Sequence, residues 1–288
     1  MGAGREGFGV QGGMSPVASV DGVSLYCEVC GAGPAVLFMH EYGGSCRSFD
    51  MQVEAFRVRH RCVVFNARGY PPSAVPAPVE SYSQEHAVAD IAAVLDGLGL
   101  EKAHLVGVSM GAASALQFAL KQPGRVLSAT LVGIGSGSDD PAFFRETAEA
   151  TAGLLEAGGM PALVAQMNES PTRRRLKEKN PAEFQRFNEQ LLAMSPLGHA
   201  NTMRGVQGKR PPLYVHEKRL AALFVPVLVV VGDEDAGCRK PSEFLKRVLP
   251  DASLHVIPQT GHCVNLEDPA GFNRLCLEFV GTAAVAGR

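Results

Sequence analysis

His104-Leu105-Val106-Gly107-Val108-Ser109-Met110-Gly111-Ala112-Ala113 reads as a short apolar strand, a Gly-x-Ser-x-Gly turn and the start of a helix. A strand that turns this sharply into a helix strains its central residue and lifts that side chain above the sheet edge. Gly107 and Gly111 flank Ser109 because a side chain at either place would collide with the neighbouring strand or helix. Ala112 and Ala113 keep the helix close to the sheet, and its first N–H groups face a place where negative charge can develop. The five-residue pattern alone is weak. Its bland alternative is a Gly-rich turn around a buried serine, and the flanking strand and helix argue against that.

Outward from this turn, strands and helices alternate. Val17 to Val20 and Val23 to Val29 are strand-like and joined by Asp21-Gly22, a hairpin signal. Ala35 to Met39 and Cys62 to Asn66 are apolar runs of the kind buried on both faces of a parallel sheet. Arg47 to Arg57 has helical spacing, and Ser83 to Leu98 is an amphipathic helix with Val88, Ile91, Ala92 and Leu95 on one face. Ser128 to Ile134 is a further strand. Val227 to Val231, a helix from Pro241 to Val248, a strand from Ser253 to Ile257 and a helix from Pro269 to Phe279 close the chain.

Between Asp139 and Val215 the pattern changes. No strand is expected there, and Phe143 to Leu155, Ala162 to Met167, Ala182 to Met194 and Leu197 to Val206 read as short helices. Prolines 161, 171, 181 and 196 separate them, and proline suits a helix start. The expected fold is α/β, a mostly parallel twisted sheet flanked by helices with an inserted helical cap. Residues 15–138 and 216–288 would form the core, residues 139–215 the cap, and residues 1–14, Gly-rich, a flexible extension.

Composition bounds the function. The 288 residues carry 27 basic and 29 acidic side chains, a balance that asks for neither nucleic acid nor an anionic membrane. No apolar run can span a bilayer, and the N-terminus lacks the apolar core of a signal peptide. Seven scattered cysteines suit reduced thiols and a cytoplasmic location. Cys27 and Cys30 have redox or zinc spacing, but on a strand they point to opposite faces, so no metal is expected.

Ligand sites in such sheets lie beyond the carboxyl ends of the strands. His40 to Gly44 follow one strand, Ser109 another, Gly232-Asp233-Glu234-Asp235 a third and Gln259-Thr260-Gly261-His262 a fourth. A nucleophile, an acid and a histidine thus stand in the order Ser…Asp…His. That order, with the elbow and the Gly-His before the last helix, resembles the α/β-hydrolase family over nearly the whole chain except residues 1–14 and the cap.

The resemblance implies a catalytic triad of Ser109, Asp235 and His262, with Asp233 as the fallback acid. It implies an oxyanion hole from the backbone N–H groups of Tyr42 and Met110, with His40 as structural support beneath it. Two departures stand out: Glu41 replaces the glycine of the family's His-Gly pair, and Asn66 stands where an aspartate is common. Arg68 resembles the family's Arg-Gly, and Glu41 is expected to pair with Arg68 beneath the site.

The expected activity is hydrolysis of a small or medium apolar carboxylic ester through an acyl-serine, without cofactor. C–C bond hydrolases, lactonases, amidases and perhydrolases of the family use the same triad, whereas haloalkane dehalogenases and epoxide hydrolases place aspartate where Ser109 stands. A small-molecule receptor on the same fold is the alternative of another class. The partner is a small-molecule substrate, and the sequence is compatible with a homo-oligomer. The run Arg173-Arg174-Arg175 reads as a solvated helix face. Cys238 and Cys263 read as packing residues, and His60, His104, His199, His216 and His255 as surface or loop histidines.

Overall fold

The computed structural model describes residues 16–286, with side chains described to residue 283. The expected extension over residues 1–14 therefore lies outside the described residues. A small sheet pairs β1 (Val17–Ala18) with β2 (Ser24–Leu25). The main sheet holds β3 (Cys27–Cys30), β4 (Ala35–Met39), β5 (Arg61–Phe65), β6 (Ala103–Val108), β7 (Val126–Val132), β8 (Val227–Gly232) and β9 (Ala252–Ile257). Its spatial order is β3-β5-β4-β6-β7-β8-β9. Only β3 runs antiparallel, against β5.

The central strands are apolar on both faces because both are covered. Leu37, Met39, Leu105, Leu131 and Val229 join one core. Val36, Phe38, Val106, Val132 and Val230, one residue out of step, join the core on the other side. Helices α1 (Asp50–Phe56) and α11 (Pro269–Ala286) cover that second side through Phe56, Phe272, Cys276 and Val280. Helices α2 (Gln84–Gly97), α3 (Met110–Lys121) and α9 (Ala236–Val248) cover the first. Cys27 and Cys30 belong to opposite sides of the sheet.

Local signals explain the helix ends. Ser83 caps α2, its Oγ accepting from the His86 N–H at 3.0 Å, and Gly99 follows the helix in the left-handed region. Helix α9 starts at Ala236, five residues before the expected Pro241, which sits inside it.

The insertion contains α4 (Pro141–Glu169), α5 (Pro171–Lys179), α6 (Pro181–Leu192) and α7 (Pro196–Thr202). One device starts all four. Asp140, Ser170, Asn180 and Ser195 cap with their side chains, and a proline takes the first helical position each time. α4 breaks at Gly159 (φ 63°), which separates the two short helices expected there. The last turn after α7 loosens into a π-helix at Met203–Gln207. α8 (Glu217–Leu220) returns the chain to β8, and α10 (Val264–Glu267) precedes α11. A third apolar cluster joins the insertion (Leu155, Leu163, Leu176, Phe187, Leu191) to Tyr42, Tyr70, Met110 and Cys263 of the core. No helix among the described residues is long and apolar enough to cross a membrane.

Candidate active site

Ser109 is the one residue between β6 and α3. Its backbone takes φ 53°, ψ −108°, a left-handed conformation that costs a non-glycine residue about 1–3 kcal/mol. The surroundings leave no choice. A Cβ on Gly107 would lie 2.5 Å from the Gly111 carbonyl carbon, and one on Gly111 would lie 2.1 Å from the Met39 oxygen. The Ser109 N–H is held by the Val132 carbonyl at 2.8 Å. Val108 and Met110 are buried, whereas Ser109 keeps part of its surface open.

His262 follows β9 and Asp235 follows β8. His262 Nδ1 meets Asp235 Oδ2 at 2.7 Å, with both side chains nearly buried. Burial by itself would push the imidazole pKa down, but the Asp235 carboxylate outweighs it and holds the pKa well above 6.5. Burial likewise works to raise the Asp235 carboxyl, and the imidazole overrides it and keeps the pKa low. Asp233 serves elsewhere, being exposed, with its Oδ1 accepting the Thr260 N–H at 3.1 Å.

The loop after β4 carries His40 to Gly44. His40 Nε2 accepts the Ala67 N–H at 3.1 Å, so Nδ1 bears the proton donated to the Glu41 carbonyl at 2.8 Å. Burial lowers its pKa to about 4, which keeps it neutral. The N–H groups of Tyr42 and Met110 donate no hydrogen bond to the protein among the described residues. Behind Met110 and Gly111 lies an apolar cavity of about 40 Å³, lined by Tyr70, Ile91 and Val206 among others. Its lining does not include Ser109.

Glu41 does not pair with Arg68. The Arg68 guanidinium grips Asp90 of α2 at 2.6 and 2.7 Å, and Asp21 of the β1–β2 turn at 2.8 Å. Strands β4 and β5 are neighbours. Arg68, however, lies three residues past Phe65, where the buried Asp90 offers it both carboxylate oxygens. Glu41 is 1 % exposed; its Oε1 accepts the Ser48 hydroxyl at 3.2 Å and its Oε2 has no partner.

Residues 34–269 match the alpha/beta hydrolase fold family. The chain belongs to that family. Among its relatives, 3-oxoadipate enol-lactonase 1 of Acinetobacter baylyi is 27 % identical over 267 residues, covering 92 % of this chain and 96 % of its own length. The 2-hydroxy-6-oxo-6-phenylhexa-2,4-dienoate hydrolase of Burkholderia cepacia is 30 % identical over 271 residues, 89 % of this chain and 91 % of its own. A thermophilic esterase structure from Thermogutta terrifontis superposes with a TM-score of 0.83 at 25 % identity, over 95 % of this chain and 99 % of its own.

In this α/β hydrolase the basic run on α5 is solvated at Arg174, Lys177 and Lys179, as expected, but not at Arg173. Arg173 is 3 % exposed, stacks 4.2 Å over the Phe187 ring and donates to Cys263 Sγ. Arg174 reaches Glu234 at 2.5 Å, Arg175 at 2.8 Å, and Lys179 reaches the Gln259 carbonyl at 3.2 Å. One short helix thus touches the loops that carry both Asp235 and His262. A signal existed: Arg173 and Leu176 are three apart on a helix, so one arginine shares the face of the buried leucine.

Other residues near the site carry no motif. Glu267 is buried, and its carboxylate accepts the Gly261 N–H at 2.6 Å and the Cys263 N–H at 3.0 Å, gripping the backbone on both sides of His262. Cys238 Sγ lies 3.1 Å from Ser136 Oγ, 3.2 Å from the Gly133 carbonyl and 3.9 Å from His262 Nδ1. Asp235, Cys238 and His262 offer donor atoms within 4.8 Å of one another, the arrangement among the described residues that could hold a metal ion. The His262–Asp235 hydrogen bond already occupies two of those atoms. His60, His104 and His199, expected at the surface or in loops, are buried. His104 lies on β6, where every residue is covered, and its Nδ1 meets Ser128 Oγ at 2.8 Å.

Proposed function

We propose that this hydrolase cleaves a small or medium, largely apolar carboxylic ester through an acyl-serine intermediate. The observation that carries the reading is the strained, partly open Ser109 on its elbow together with the 2.7 Å His262–Asp235 pair at neighbouring strand ends. A serine hydroxyl is nearly inert at neutral pH until a base takes its proton. His262 Nε2 is that base, and it then protonates the leaving group. Asp235 orients the ring and stabilises the imidazolium. The tetrahedral oxygen takes the N–H groups of Tyr42 and Met110. From the cap, Met167 and Leu191 lie against Gly43, which favours an apolar acyl or alcohol group. No step calls for a cofactor, and seven free cysteines suit work in the cytoplasm.

A second reading keeps the triad and changes the bond. Relatives named enol-lactonase and phenylhexadienoate hydrolase favour a lactone or a C–C bond next to a ketone. Turnover on a panel of acyl esters, lactones and ring-fission diketones separates the two. Fluorophosphonate labelling at Ser109, lost in Ser109→Ala, is expected under either; its absence would instead support a receptor on the same fold.

A further inference from the structure

Glu41 poses a chemical problem. A carboxylate that is 1 % exposed, with one oxygen on Ser48 and the other unpartnered, must take up a proton or find a cation. As an anion beside the Tyr42 N–H it would also oppose the negative charge of a tetrahedral intermediate. Arg68 is spent on Asp90 and Asp21.

The available cation comes from the cap. Arg173 of α5 is as buried as Glu41 and is held flat on Phe187 of α6. Its Nη1 donates to Cys263 Sγ, next to His262, and its Nη2 approaches the Tyr42 carbonyl at 3.5 Å. Its Nε has no partner, and the guanidinium is in direct contact with no carboxylate among the described residues. Each charge is half satisfied by neutral groups.

We propose that Arg173 is a positioning residue of the oxyanion loop: from the cap its charge offsets that of Glu41 beside Tyr42, so the hole is competent only with α5 seated. The proposal rests on the serine-hydrolase reading above. The groups around Glu41 are Ser48, Arg173, Tyr70, His262 and Cys263. Burial pushes the Glu41 carboxyl up, and Arg173 pulls it back.

The test is the rate at which a fluorophosphonate phosphonylates Ser109, measured against pH, since that step also builds charge on an oxygen in the hole. Arg173→Met keeps the stacking length and removes the charge. It should slow labelling by about 100-fold, the scale of losing one oxyanion donor. It should also add a descending limb, because labelling fails as the now unopposed Glu41 ionises with rising pH. In a Glu41→Gln background the same Arg173→Met change should cost little and the descending limb should vanish. Equal losses in both backgrounds, or none in either, would overturn the proposal. A thermal melt guards the comparison: unfolding of Arg173→Met only when Glu41 is present supports the charge pairing, and unfolding in both backgrounds overturns it. If the wild-type protein itself fails to label at Ser109, the serine-hydrolase reading falls, and this one with it.

Discussion

The elbow around Ser109 and helix α5 meet at the same site, and they are specified in opposite ways. The elbow is backbone packed on backbone: Gly107 on Gly111, Gly111 on Met39. Its shape follows from the absence of side chains within five residues. Helix α5 is placed by charges whose partners lie 59 to 90 residues away, Glu234 for Arg175 and Cys263 for Arg173. The first kind of order is written in a few adjacent residues. The second depends on two segments docking. On the proposed reading, the nucleophile is built the first way and the cap seated the second, so the substrate can change without touching chemistry.

The comparison breaks most visibly at the nucleophile. Ser109→Ala should lower turnover by roughly 10⁴-fold or more with no change in thermal midpoint. Near-normal activity on an established substrate would remove Ser109 from its role. Asp235→Asn should follow at about 10³–10⁴-fold in kcat. It should also move the acid limb of the pH–rate profile. Under the proposed triad, activity needs neutral His262 and is lost as pH falls through a pKa that Asp235 holds up. Removing the carboxylate lowers that pKa, so the limb shifts to lower pH. Asp233→Asn should leave the limb where it is, since Asp233 holds only the Thr260 loop. The reverse ranking would exchange the two aspartates.

A pair of glycine substitutions sharpens the contrast between the regions. Gly111→Ala drives a methyl to 2.1 Å from the Met39 oxygen, and backbone cannot step aside, so a loss of at least about 2 kcal/mol is expected in urea unfolding. Gly153 lies exposed in α4 with nothing within 4 Å of an added Cβ. Gly153→Ala should stabilise by up to about 1 kcal/mol through helix propensity alone. Similar costs at both positions would mean that the elbow is no more tightly determined than the cap surface.

These cases also show what the sequence alone reveals. The elbow, the central strands, the helix start at Ser83 and the proline-led starts at Pro171, Pro181 and Pro196 are legible because each signal is complete within a few residues. The Asp235–His262 pair is legible through strand order. The partner of Arg68 is not: Asp90 is 22 residues on, on a helix whose rotation about its axis only the packed fold sets. Nor is the split within the basic run, where Arg173 goes inward and its two neighbours grip a loop. Three consecutive arginines look alike until the docked face is known. Glu267 hides for the same reason, since its ligands are backbone N–H groups that any sequence supplies.

The smallest expected effect lies at the outer edge of α5. Arg174 and Arg175 both reach Glu234, which is also the residue before Asp235. Exposed ion pairs gain little, because water and salt already screen them and ordering long side chains costs entropy. Glu234→Gln should therefore lower the thermal midpoint only slightly, and the difference from wild type should disappear in high salt. The sign with pH follows from the two arginines, which hold the Glu234 carboxyl below the ordinary glutamate value of 4.5. The increment is fully present above that value and fades as pH falls from it through the lowered folded-state pKa. Wild type and Glu234→Gln should thus converge in stability under acid conditions as well as in salt. Phosphonylation of Ser109 should be unchanged at neutral pH, because Arg173 and not this clamp faces the oxyanion loop. A labelling rate that falls with Glu234→Gln as steeply as with Arg173→Met would show that α5 acts as one rigid unit, and the division of labour along it would have to be given up.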